Sequence, residues 1–433
     1  MAKASRFNFW ATVSENQYLL FNGISGALYE LDREERTLAL RFLDAPGELF
    51  DSNETALHLS LIEGGFVISD SLDETEVLRT RNRVECSHHH VLDLVISPTY
   101  ECNFRCRYCY VDFKPGRMSR DVENRIVNYL ERVLHQYEQV NISWFGGEPL
   151  LCLETVVRVS RQATAIARSS TAQLHNLIST NGYLLEMETA HRLSEAGIRF
   201  FHITIDGAGH DHDRLRVLAN GNPSYIRIRE NLGSLLAHIP DARVTLRMNA
   251  NEDNVDSLSE VLNDIPPSFR RRIQVNITPI LDTEGLPSLE LHRKINRVIR
   301  HALQTGYLYY DVSIPVDRRT FCAADRYNNF HIAPSGALHK CTPAPGKPEV
   351  TVGRLNGQGL PELHERYEHW HRAPPVGDRC LDCSYLCFCA GGCRLERLRG
   401  NQDLGCKDKY EDIENMIMNR YTATINGALE VNI

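Results

Sequence analysis

Thirteen cysteines in a chain of 433 residues are the feature of this sequence that most plainly offers chemistry. Cys102, Cys106 and Cys109 sit in the run Ser97-Pro98-Thr99-Tyr100-Glu101-Cys102-Asn103-Phe104-Arg105-Cys106-Arg107-Tyr108-Cys109-Tyr110, with the spacing C-x3-C-x2-C. Three thiolates on one short loop can hold three irons of a [4Fe–4S] cluster and leave the fourth iron open to another ligand. The competing reading is structural zinc, which wants four closed ligands. No further Cys or His follows closely, although His88, His89 and His90 could supply one through space. A second group falls at the far end of the chain: Cys322, Gly336 and Cys341, then Cys380-x2-Cys383-x5-Cys389-x3-Cys393, then Cys406. Its C-x2-C pair alone would also suit a zinc ribbon. Cys387 fits no position in that pattern, and Cys86 and Cys152 read as small buried hydrophobes.

Short polar motifs accompany the first cysteine loop. Trp144-Phe145-Gly146-Gly147-Glu148-Pro149-Leu150, Ser179-Thr180-Asn181-Gly182 and Thr204-Ile205-Asp206-Gly207 each end a strand-like segment, and His212-Asp213-Arg214-Leu215-Arg216 follows. With these, the C-x3-C-x2-C loop resembles the signature of the radical S-adenosylmethionine (SAM) superfamily, and the glycine-containing turn resembles its GGE motif. The resemblance implies that Tyr108, Gly146, Gly147, Glu148, Ser179, Asn181, Asp206 and Arg216 bind SAM. The glycines would admit its methionine end, and a carboxylate or carbonyl there would take its ammonium group. Ser179, Asn181 and Asp206 would contact the ribose or shape the cavity, and Arg216 would grip the carboxylate.

The later cysteines are similar to the seven-cysteine signature of the SPASM domain, which carries two auxiliary [4Fe–4S] clusters. By that resemblance Cys380, Cys383, Cys389 and Cys406 close one cluster and Cys322, Cys341 and Cys393 hold the other, for three clusters in all. The fourth ligand of the latter stays open, since Ser313–Thr320 contains no cysteine; Cys387, another side chain or the substrate could fill it. The implied activity is a peptide-modifying oxidative maturase. Alternatives are an anaerobic formylglycine-generating sulfatase maturase and a SPASM enzyme acting on a small molecule. The implied partners are a precursor peptide with a leader segment and an electron donor such as flavodoxin or ferredoxin. No motif marks a catalytic base.

These residues require elements to position them. Strand-like segments Val91–Ile96, Val140–Trp144, Asn176–Ser179, Arg199–Ile205, Val244–Asn249 and Ile273–Thr278 alternate with helical stretches at 119–138, 153–168, 186–196, 224–238 and 255–264. Six βα units predict an α/β fold, a partial (β/α)6 barrel with ligands at the C-terminal strand ends. Before it, Tyr18–Asn22 and Ala27–Leu31 predict a hairpin, with helices near 33–43 and 53–63 and a closing strand at Gly65–Ile68. That order resembles a winged-helix-like module for leader peptides, with an added peptide strand beside Tyr18–Phe21 or Ala27–Leu31. The division is therefore 1–83 (module, with 69–83 as linker), 84–287 (barrel), 288–319 (bridging helices) and 320–433 (loop-rich cysteine domain). A net charge of −8 makes nucleic acid an unlikely partner, and no apolar run suggests a membrane span or signal peptide. A cytoplasmic location follows, where thiols stay reduced and serve as metal ligands.

Overall fold

The computed structural model describes residues 2–47, 55–87, 90–113, 115–280, 287–309, 322–344, 347–372, 378–400 and 412–429. Cys406, His88, His89 and Ser313–Thr320 lie outside them. The described residues pack as two compact units that do not follow chain order. One joins 2–86 with 378–429; the other joins 87–309 with 322–372.

In the first unit, β1 (Ala2–Ala4) pairs antiparallel with β5 (Val67–Ser69), and β2 (Asn8–Ser14), β3 (Gln17–Asn22) and β4 (Leu28–Leu31) form a meander. Alternation along these strands gives the meander two apolar faces. Leu20 and Leu31 pack with Ala39, Phe42 and Leu61 of the helices Arg33–Asp44 and Thr55–Glu63. Phe9, Ala11, Leu19 and Phe21 pack instead on Leu386–Cys389 and on Met416 and Ile417 of the helix Ile413–Ile425. Asp32 starts the first helix through a capping box, accepting N–H groups of Glu34 and Glu35 while Glu35 accepts from its own N–H. The polar stretch expected as a linker is instead the helix Glu74–Cys86. Its start is fixed by Asp73, which accepts from Thr75 and Glu76, and the buried Glu74 is satisfied by Ser5 Oγ and the Arg6 N–H. Polarity there serves capping and buried hydrogen bonds rather than solvation.

The second unit is built on a parallel sheet. Strands β6 (Val91–Ile96), β7 (Gln139–Trp144), β8 (Gln173–Thr180), β9 (Phe200–Thr204), β10 (Arg243–Ala250) and β11 (Ile273–Pro279) lie side by side in chain order, and β12 (Leu308–Tyr309) extends the β11 edge. Amphipathic helices Arg120–Val133, Leu153–Arg168, Met187–Glu195 and Tyr225–His238 connect them, so this is the mixed α/β architecture of a partial barrel.

The region from 320 is less loop-rich than expected. Strand β13 (Asn329–Ile332) pairs parallel with β6, and β14 (Ala337–His339), β15 (Thr351–Leu355) and β16 (Pro361–Leu363) follow as an antiparallel meander, carrying the sheet to eleven strands. These strands are short and bury histidines and asparagine in place of aliphatic residues, which hides the alternation. Gly336 occupies the β13–β14 turn at φ +82°, so the glycine between Cys322 and Cys341 is a hairpin requirement.

Candidate active site

The first cysteine loop leaves β6 at its C-terminal end and is held by backbone on both sides. Arg105 N–H donates to Val217 O (2.7 Å), Arg107 N–H to Leu215 O (3.2 Å) and Ala219 N–H to Asn103 O (2.9 Å), which places Arg216 against the thiols. From the other side Gly147 N–H donates to Thr99 O and Glu148 N–H to Glu101 O. A Cβ at Gly146 would overlap Thr99 O, and one at Gly147 would overlap Glu101 O. The two glycines therefore let the turn after β7 press onto the cysteine loop, a closeness only glycine allows.

Glu148 is fully buried, and burial raises the pKa of its carboxyl group. The carboxylate accepts from Leu150 N–H (3.0 Å), Thr180 Oγ1 (2.8 Å) and Asn181 N–H (2.8 Å), tying the ends of β7 and β8 together. Asn181 in turn donates through Nδ2 to Asn103 Oδ1 and lies 4.0 Å from Cys102 Sγ. Cys102 Sγ also accepts the Phe104 N–H at 3.3 Å, the kind of donor that favours a thiolate. Burial dominates all the same and pushes the Cys102 thiol up to about 12. Burial likewise raises Cys106, opposed by the nearby Arg216 guanidinium. Ser179 is half-buried at the end of β8.

A second lattice closes the opposite side. Tyr108 hydroxyl contacts the Asp206 carboxylate, Arg216 donates to the same hydroxyl at 2.8 Å and lies 3.5 Å from Asp206, and Asn249 donates to both. Asp206 is completely buried and Arg216 is 7% exposed. Arg216 Nε is buried and has no partner among the described residues. His212 takes no place at the thiols; its Nδ1 accepts the Asp206 N–H at 3.2 Å, and burial holds it neutral with a pKa of about 3. Asp213 caps the next helix by accepting from Ser224 and Tyr225. Sequence reasoning missed Asn249, Asn254 and Thr180, although each is a short polar residue at or just past a strand end. Asn254 Nδ2 bridges the backbone carbonyls of Asp206 and Asn249.

Residues 96–265 match the family model described as the Radical SAM superfamily. This stretch is a radical SAM domain. The chain is similar, at 22% identity over 92% of its length and 91% of the relative's, to the radical SAM cyclopropyl synthase TigE of Paramaledivibacter caminithermalis. In structure it is similar to anSMEcpe with bound AdoMet and Cp18Cys peptide (TM-score 0.59, 16% identity, 78% of this chain and 99% of that one). It is also similar to Streptococcus suis SuiB bound to precursor peptide SuiA (TM-score 0.51, 15% identity, 92% and 97%). A radical SAM domain implies a [4Fe–4S] cluster and SAM. The residues present fit both. Three thiols share one loop, and a buried guanidinium beside them, whose Nε has no partner among the described residues, suits an anionic group such as an amino-acid carboxylate. Among the described residues no three Cys, His, Asp or Glu converge on a single ion, and a cubane, whose thiolates bind separate corners, asks for no such convergence.

The later cysteines divide between the units: Cys322 and Cys341 flank the β13–β14 hairpin, whereas Cys380, Cys383, Cys389 and Cys393 belong to the first unit. Cys383 N–H donates to Cys380 O (3.1 Å), which makes a tight turn of the C-x2-C pair. Between Cys389 and Cys393 the backbone is left-handed at Ala390, Gly391 and Gly392, with φ of 46°, 91° and 74°. Ala390 is the single non-glycine residue with positive φ among the described residues. Arg397 secures this bend by donating to Gly391 O and Gly392 O. Cys86, Cys152 and Cys387 are buried.

Proposed function

We propose that the protein is a radical SAM/SPASM maturase that abstracts hydrogen from a residue of a ribosomally made peptide and leaves an oxidative modification such as a crosslink. The observation that carries the reading is the buried Arg216, clipped beside Cys102, Cys106 and Cys109 with its Nε without a partner among the described residues. Bound there, the cluster and SAM supply one-electron reductive cleavage of the sulfonium and a carbon-centred radical able to take hydrogen from an unreactive carbon.

The chain's own residues bind and orient. Cys102, Cys106 and Cys109 hold the cluster, and Arg216 receives the SAM carboxylate. The three donors on the Glu148 carboxylate leave the carbonyl groups of the Gly146–Gly147 turn to take the ammonium group. Tyr108, Ser179, Asn181 and Asp206 line the nucleoside side. Cys322, Cys341, Cys380, Cys383, Cys389, Cys393 and Cys406 hold two auxiliary clusters, and a reduced flavodoxin or ferredoxin in the cytoplasm supplies electrons. Among the described residues no helix is long and apolar enough to cross a membrane.

A peptide substrate is favoured over a small molecule by the N-terminal module. Its β3 is paired on both sides, so Tyr18–Phe21 offers no edge to a leader strand. At β2 the Thr12 N–H already donates to Glu414, and β4 keeps an outer edge that no described strand pairs. A leader segment adds beside Leu28–Leu31. The test is anaerobic incubation of reconstituted enzyme with SAM, reductant and a candidate precursor. Release of 5′-deoxyadenosine with a precursor mass lower by two hydrogens is expected, both absent in the Cys102, Cys106 and Cys109 triple alanine variant. Nucleoside release by that variant removes the proposal.

A further inference from the structure

We propose that the N-terminal module is a wall of the C-terminal cluster site, and that Gly23 and Phe388 are positioning residues that hold Cys380, Cys383 and Cys389 in place. The inference rests on the reading of those three cysteines as cluster ligands. The segment between them cannot hold its own shape, because Leu386–Cys389 is a single helical turn that ends in a left-handed alanine. What fixes it is the sheet. Phe388 is 1% exposed, and its ring lies 5.0 Å from that of Phe9 and 6.1 Å from that of Phe21. Tyr385 stacks on Phe9 at 6.0 Å. Nearer the C-x2-C pair, Arg6 donates to Leu381 O at 2.5 Å while its other terminal nitrogen donates to Thr75. The helix Ile413–Ile425 clasps the same sheet through Glu414 on Thr12 and Tyr421 on Glu30.

The tightest point is Gly23. A Cβ there would overlap Cys387 Sγ and come within 3.2 Å of the Phe388 ring. Gly23 has no positive φ, so what its position requires is space. Cys387 fills the notch this glycine leaves, facing Ser384 O at 3.7 Å. The cysteine that fits no ligand position is therefore a plug between the sheet and the cluster-binding turn.

Iron and sulfide content of the full-length chain after anaerobic reconstitution tests this, with deoxyadenosine release as an independent gauge of the barrel. Gly23→Val and Phe388→Ala should each lose about four irons, one cubane, matching a Cys383→Ala/Cys389→Ala variant, while still releasing deoxyadenosine. Cys387→Ala should keep all its iron. Gly23→Ala should lose iron, and Gly23→Ala/Cys387→Ala should regain it, because removing Sγ makes room for the new methyl group. That rescue distinguishes positioning from general destabilisation, and it carries the test should Gly23→Val fail to fold. Full iron in both Gly23 variants overturns the inference alone when Cys383→Ala/Cys389→Ala has lost iron. Unchanged iron in that double variant overturns the ligand reading and the inference together. Iron loss in Cys387→Ala equal to that of the ligand variants makes Cys387 a ligand and also overturns the inference.

Discussion

The two cysteine turns are held by different balances of polar and aromatic contacts. The Cys102–Cys109 loop is fixed by backbone hydrogen bonds and by a buried polar lattice of Glu148, Asn181, Asp206, Arg216 and Tyr108. The Cys380–Cys389 turn is fixed by aromatic rings, with Phe9, Phe21, Tyr385 and Phe388 in contact. Directional bonds place atoms closely, as a site that must orient a reacting ligand requires. Aromatic packing fixes the shape of the turn, with Arg6 on Leu381 O and Arg397 on the Gly391 and Gly392 carbonyls pinning its backbone at either end. The contrast also alters what a truncation means. Deleting residues 1–83 removes the apolar face beneath Phe388 together with any leader site, so it cannot by itself report on leader binding. Changes at the outer edge of β4 separate the two.

The largest effect should come from tightening the polar side. Gly147→Ala would drive a methyl group into Glu101 O, and a backbone carbonyl on a doubly clipped loop can step aside only by moving the loop. Displacement of the cysteine loop by about 1 Å should lower deoxyadenosine release by about a hundredfold. Iron in the C-terminal turn should be untouched. Equal loss at both sites would mean that the two are not independently held.

Removal of a charge from the lattice should act chiefly on stability. Asp206→Ala leaves the Arg216 guanidinium buried without its carboxylate, and breaking a buried pair costs about 3 to 5 kcal/mol. Urea unfolding followed in the barrel unit should show that loss, together with weaker SAM binding by equilibrium dialysis. A loss under about 1 kcal/mol would mean that solvent or Tyr108 replaces the carboxylate, and that the lattice is less polar in its energetics than in its geometry.

Much of this arrangement was legible in the sequence, unevenly. The six parallel strands β6–β11 were readable because each buries an apolar run followed by a short polar motif, and the site residues lie where such motifs end strands. The helix Glu74–Cys86 was not, since its stabilising features are a capping Asp73 and a buried Glu74 rather than an apolar stripe. Strands β13–β16 were hidden for a related reason: Asn329, His331 and His339 occupy buried positions where aliphatic residues signal a strand. Glu148 and the two glycines before it were recognisable as a motif, but their work in bracing the cysteine loop depends on contacts across more than forty positions of chain, which spacing does not reveal. Nor could the sequence pair residues 2–86 with 378–429, because faces that meet only in space leave no periodic signal.

The last effect is a pH dependence of the barrel unit, in which the share of any one histidine is the smallest change. Burial keeps His202, His212, His331 and His339 neutral, with pKa values lowered to about 4, about 3, about 3 and about 4 from an ordinary 6.5, and all four belong to the barrel unit. Below pH 6.5 the unfolded chain takes up protons at these rings while the native protein does not. Stability present above that pH is therefore lost as pH falls towards 4, at about 1.4 kcal/mol per pH unit for each ring. Two of the three tryptophans, Trp144 and Trp370, lie in this unit, so a Trp10→Phe variant reports its unfolding alone. Its urea midpoint should fall between pH 7 and 5, and His212→Gln should remove about a quarter of the slope while keeping an acceptor for the Asp206 N–H. An unchanged slope would mean that His212 is protonated in the native state, which would put a proton on Nδ1 and end its acceptance of the Asp206 N–H.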